Sequence, residues 1–139
     1  DMLVSAALED LGSDNLISYF RTHVAPRCSR TVRLPAPSEN VSAERTLMGA
    51  VLRVGRQTLD CPSIAQARHL AVFAKMGWEE ARVPEQEPTI AALLPTLQRE
   101  LRRAMEVLSD HVSRITGRRA RREFARLFWR EVKARMLAP

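Results

Sequence analysis

TIAALLPTLQRELRRAMEVLSDHVSRITGRRARREFARLFWREVKARML, residues 89–137, is the stretch whose reading decides the fold. Ile90, Leu93, Leu94, Leu97, Leu101, Ala104, Leu108, Val112 and Ile115 recur in steps of three and four, which lays one apolar stripe along a helix. After Gly117 the same period continues through Ala120, Phe124, Leu127, Phe128, Trp129, Val132, Met136 and Leu137, on a shorter and wider face. A single helix of nearly 50 residues is rare in a compact domain, so a break at Gly117 is expected, turning the stretch into a helical hairpin. Two apolar faces need covers, and the upstream residues are read as the helices that supply them. The expected fold is therefore all-α, a single-domain helical bundle of five to six helices with a long C-terminal helical hairpin.

Working outward, Leu3, Val4, Ala6, Ala7, Leu8 and Leu11 predict a short helix stopped by Gly12. Ser13 or Asp14 can cap a second, carrying Leu16, Ile17, Phe20 and Val24 until Pro26. Residues 26–40 hold three prolines and no helical period; Thr31-Val32-Arg33-Leu34 alternates like a strand, but with no second candidate to pair with it the segment reads as an extended loop. Leu47, Met48, Val51, Leu52 and Val54 predict a third helix, weakened at Gly49 and Gly55, and Ile64 to Met76 predicts a fourth that closes at Gly77. Residues 1–77 thus form the N-terminal helices. Residues 78–88, with Glu79, Glu80, Glu85 and Glu87 against Arg82 alone, form an acidic linker, and residues 89–137 the hairpin, in which Pro95 is expected to kink the helix or sit in an extra first turn.

At 139 residues the chain can bury roughly two thirds of its unfolded surface without a metal or disulfide staple. No apolar run reaches the ~20 residues of a membrane span, and no signal peptide is visible. Cys28 and Cys61, with no Cys-x-x-Cys pair and no histidine at zinc spacing, read as unpaired thiols of a reducing, intracellular compartment, a Cys28–Cys61 disulfide being the alternative. The start at Asp1 rather than a methionine reads as a domain of a larger protein.

The net charge of +6 is one-sided. Residues 97–139 hold 12 lysines and arginines against 5 acids, a net of +7, while residues 1–96 hold 10 against 11, a net of −1. Arg114, Arg118, Arg119, Arg121, Arg122, Arg126 and Arg130 are the candidate partner-binding residues. On a helix Arg118, Arg122 and Arg126 share one edge of roughly 12 Å, with Arg119 and Arg130 flanking it, a spacing suited to carboxylates or phosphates. Glu123 and Glu131 stand within three or four residues of several of them and neutralise part of the edge. Phe124, Phe128 and Trp129 follow the apolar phase rather than interleaving with the arginines, which argues against a base-stacking surface.

No Gly-rich phosphate loop, Gly-x-Ser-x-Gly elbow or His-Glu-x-x-His motif occurs, and His23, His69 and His111 lie far apart without ligand spacing. The run from Leu94 to Leu137, with its Leu-rich helix, basic turn and Trp129, resembles in apolar spacing the closing helices of helical-rod vesicle-tethering proteins, over less than a third of the chain. The expectation is a non-enzymatic interaction or adaptor module without cofactor or metal. It would bind an acidic protein partner through the basic edge, or through a groove where the short N-terminal helices cover the long one incompletely. Sequence-independent binding of RNA, DNA or anionic lipid through residues 114–135 is the alternative.

Overall fold

A computed structural model describes residues 1–139 and corrects the all-α expectation: the chain is mixed α/β, with five helices and two antiparallel sheets. In order the elements are α1 (Met2–Glu9), α2 (Leu16–Tyr19), a π-helical and a 3-10 turn through Arg27, β1 (Cys28–Arg33), β2 (Val41–Thr46), β3 (Gly49–Val54), β4 (Gln57–Cys61), α3 (Ile64–Lys75), β5 (Glu80–Pro84), α4 (Glu87–Val112) and α5 (Arg118–Leu137). They divide into two compact units. One comprises Asp1–Thr22 with Arg99–Pro139, the other His23–Gln98, so α4 contributes residues to both.

The sheets lie in the His23–Gln98 unit. Residues 42–58, read as a helix, are a three-stranded meander in the order β2-β3-β4. What looked like helical spacing is a two-residue turn followed by a strand. Ala50, Val51, Leu52 and Val54 of β3 are buried, whereas Leu47 and Met48, counted as core, are the turn itself and are 100% and 91% exposed. The glycines that seemed to weaken a helix are what the hairpins need. Gly55, at φ +62°, opens the β3–β4 turn, and Gly49, at φ +152°, packs where an added Cβ would come within 2.7 Å of the Cys61 carbonyl oxygen. Ser63 caps α3 by accepting from the Gln66 amide, and α3 lies across β2 and β3, burying Ala67, Leu70, Phe73 and Ala74.

The second correction concerns the stretch read as a loop. Cys28–Arg33 is a strand whose partner, β5, sits inside the segment read as an acidic linker, with Val32 opposite Ala81 and Arg33 opposite Glu80. Ala81 and Val83 are buried while Glu80 and Arg82 face out, a period-two pattern only four residues long. Phe73 and Trp78 pack with ring centroids 4.9 Å apart, and the start of α4 adds Ile90, Leu93, Leu94 and Leu97 to the unit's core. Pro95 is exposed inside the uninterrupted helix Glu87–Val112.

The other unit is helical. Asp1 caps α1, accepting from the Leu3 and Val4 amides, and Asn15 and Ser18 form a reciprocal capping box at α2. Val4, Ala7 and Leu8 of α1 pack with Leu16, Phe20, Leu101, Ala104, Phe124, Phe128, Val132 and Met136 in one apolar core. Arg21 closes the far end of α5, its Nη1 donating at 2.8 Å to the carbonyls of Arg135 and Ala138, where helical carbonyls lack intrahelical partners. Arg103 donates to the Asp14 carbonyl at 3.1 Å and so fastens α4 to the α1–α2 connection.

Candidate binding surface

The surface begins with the phase of α5. Phe124, Phe128, Val132 and Met136, spaced by four, are buried and fix which side faces the core. At 100° per residue the opposite side is then Arg119, Arg122, Arg126, Arg130 and Lys133, a ridge of about 21 Å along the helix axis. All seven arginines singled out from the sequence are exposed, but the fold sorts them into two groups. Arg119, Arg122, Arg126 and Arg130 lie on the ridge. Arg118 and Arg121 share the phase of the buried residues and project from the first turn, and Arg114 lies across the break at Gly117. The edge Arg118–Arg122–Arg126 thus runs obliquely, from a cluster at the turn at Arg118 onto the ridge at Arg122 and Arg126.

Glu123 is the acid set into the ridge. Arg126 grips it with Nε and Nη2 at 3.0 and 2.6 Å, a bidentate fork that suits guanidinium and carboxylate geometry. That hydrogen bonding, with the charges of Arg126, Arg119 and Arg130 around it, holds the Glu123 carboxyl below the usual carboxylate range and raises Arg126 in return. Both groups stand in solvent, so the fork orders the ridge more than it stabilises the fold. Arg135 pairs with Glu131 at 3.3 Å, off the ridge.

The start of α5 is electrostatically unfavourable. Gly117 offers no side-chain cap, the first turn holds no acid, and Arg118, Arg119, Arg121 and Arg122 crowd the positive end of the helix dipole. Arg121 is partly accommodated because its Nε donates to the Ile115 carbonyl at 2.6 Å.

Beside that turn lies a pocket of about 240 Å³ lined by Leu3, Ala6, His111, Arg114, Ile115 and Phe124, of which Arg114 alone is among the residues singled out from the sequence. His111 stacks on Phe124 with their planes 13° apart, and its Nε2 lies 2.6 Å from Asp10 Oδ2. The stripe along α4 explains the opening. Leu101 and Ala104 are buried, but Leu108, Val112 and Ile115 are only half-buried. The signal in the sequence was a mismatch, since Met2 and Leu3 add apolar positions beyond the one face that Val4, Ala7, Leu8 and Leu11 fill.

The remaining chemistry-bearing groups do not converge. No set of three histidine, cysteine or acidic side chains is placed to hold a metal ion. Cys28 and Cys61 are unpaired and buried, and burial pushes the Cys28 thiol up to about 11, away from the reactive thiolate. No helix is long and apolar enough to cross a membrane. Comparison with protein-family profiles, with curated proteins and with solved structures finds no match to this chain.

Proposed function

We propose that this chain is a non-enzymatic binding module that docks an acidic protein surface on the arginine ridge of α5. The observation that supports it is the ridge itself, four exposed arginines and Lys133 along one helix side. Glu123 among them favours a protein over a phosphate backbone. An interspersed acid costs affinity for a uniformly negative polymer, whereas mixed signs can match the mixed signs of a protein partner and set its register.

The test is fluorescence anisotropy with a labelled, helix-forming peptide of Glu and Ala, with wild type and with Arg119, Arg122, Arg126 and Arg130 all replaced by Glu. Circular dichroism serves as the fold control. Wild type binds saturably, and the charge reversal weakens binding by about thirtyfold or more. Unchanged affinity on reversal, with the fold kept, overturns the reading.

A second reading has its own observation. Arg114, Arg118, Arg119, Arg121 and Arg122 lie within nine residues that include no acid, a composition suited to phosphates. Binding of duplex DNA, RNA or anionic vesicles more tightly than the peptide at about 150 mM salt, with log affinity falling by about 0.9 per neutralised phosphate for the duplex, would favour it.

A further inference from the structure

We infer that the pocket between α1, the end of α4 and the first turn of α5 receives one large apolar side chain of the acidic partner, whose chain passes over Arg114 and Arg121 at the turn and continues by way of Arg118 onto the Arg119–Arg122 end of the ridge. The inference rests on the ridge reading and adds a specificity determinant to it.

Size comes first. At about 240 Å³ the pocket falls below the ~300–1,000 Å³ of most metabolite sites, and it suits a single phenylalanine or leucine side chain. Its chemistry comes second. Leu3, Ala6, Ile115 and the Phe124 ring supply apolar walls, while the imidazole of His111, the most polar ring in the lining, is already engaged by Asp10. An occupant therefore gains by being greasy, with no buried polar group waiting for it. Charge comes third. Arg114 forms part of the wall, and Arg121 is pinned beside it by its hydrogen bond to the Ile115 carbonyl. An apolar side chain entering here thus carries its flanking residues past two guanidinium groups, and acidic neighbours complement them. Leu3, 61% exposed, extends the apolar wall outward, and Met2 next to it in the chain is 89% exposed. Isolated exposed apolar side chains are common, but Leu3 adjoins an open pocket and a basic turn. The arrangement matches the recurring anatomy of helix-in-groove recognition, in which an apolar anchor supplies affinity and surrounding charges supply orientation.

The experiment uses two labelled peptides of Glu and Ala that differ at one central position, Phe in one and Ala in the other. Each is titrated into wild type, into Ala6→Trp and into the fourfold ridge reversal. Ala6 is exposed on α1, so the indole can fill the pocket without entering the core. The Phe peptide should bind wild type about tenfold or more tightly than the Ala peptide. Ala6→Trp should erase that advantage and leave affinity for the Ala peptide as it was, and the ridge reversal should weaken both peptides alike. In unmodified protein, carbon-13 methyl spectra should show Leu3 and Ile115 shifting with the Phe peptide and staying still with the Ala peptide. Equal affinity of the two peptides for wild type, or an advantage that survives Ala6→Trp, overturns the anchor while leaving the ridge reading in place. If neither peptide binds, both readings fall.

Discussion

His69 is the residue at which burial and chemistry conflict most. It is fully buried on α3, its Nε2 donates to the Arg82 carbonyl of β5 at 2.9 Å, and its Nδ1 has no hydrogen-bond partner. Desolvation holds its pKa below the ordinary histidine value of 6.5, with the hydrogen bond to Arg82 opposing the shift. The neutral ring is therefore the one the fold accepts. Above about pH 6.5 the unfolded chain does not bind this proton either, so stability is at its full value. As pH falls from there toward the depressed folded value, only the unfolded state takes up the proton, and stability drops by up to about 1.4 kcal/mol per pH unit. Urea unfolding should thus give a lower midpoint at pH 5.5 than at pH 7.5, and His69→Phe should remove most of that difference. A variant that keeps the full pH dependence would mean that other groups cause it. His69 also shows how far a single residue was legible. Its distance along the chain from His23 and His111 was visible in the sequence, but its burial depended on β5, which the sequence hid.

At the scale of elements, legibility followed sequence distance. The helices whose faces are long and periodic, α3, α4 and α5, lie close to where apolar spacing placed them, because the pattern repeats over three turns or more. The meander is hidden in the sequence because Leu47-Met48-x-x-Val51-Leu52 satisfies helical spacing by accident, and glycines at 49 and 55 suit a weakened helix as well as two hairpin turns. β1 was visible as an alternation but not as a strand, since its partner is some fifty residues away and offers only Ala81 and Val83 as buried positions. The arginine surface was legible as composition and not as geometry. Which arginines share a side depends on the phase set by Phe124 and Val132, and the pocket depends on how Leu3 and Ala6 of α1 meet the end of α4 and the start of α5. The start of α5 carries a testable consequence of that geometry. Because Arg118 sits in an uncapped, acid-free first turn, Arg118→Glu should stabilise the protein by roughly 0.3–1 kcal/mol through the helix dipole. The same change should weaken binding of the acidic peptide. Thermal melts and anisotropy on one variant check both signs. A variant that is less stable would show that Arg118 makes a stabilising interaction in the fold, and the surface would then be structural.

For the whole molecule the decisive quantity is where the charge is held. The unit of residues 1–22 and 99–139 has 13 cationic side chains against 9 acids, and residues 23–98 have 9 against 7. Within the first unit α5 alone has 8 cations and 2 acids, a net of +6 that equals the net charge of the entire chain. Both of its acids are already paired on the helix, Glu123 with Arg126 and Glu131 with Arg135, so the excess of cations remains after pairing. Charges this close lie within one Debye length, about 10 Å at 0.1 M salt, and their repulsion is therefore adjustable by salt. Two opposite responses follow from one cause. Raising NaCl from about 20 to about 300 mM should raise the melting temperature, because screening relieves self-repulsion along α5. It should lower affinity for the Glu-rich peptide over the same range, because the same screening removes the attraction. The fourfold ridge reversal should flatten both responses together, since it turns four cations into acids on the same helix side. A melting temperature that falls with salt in wild type would mean that net attraction, not repulsion, dominates the surface of α5, and the ridge would then be a stabilising network rather than a site kept open for an acidic partner.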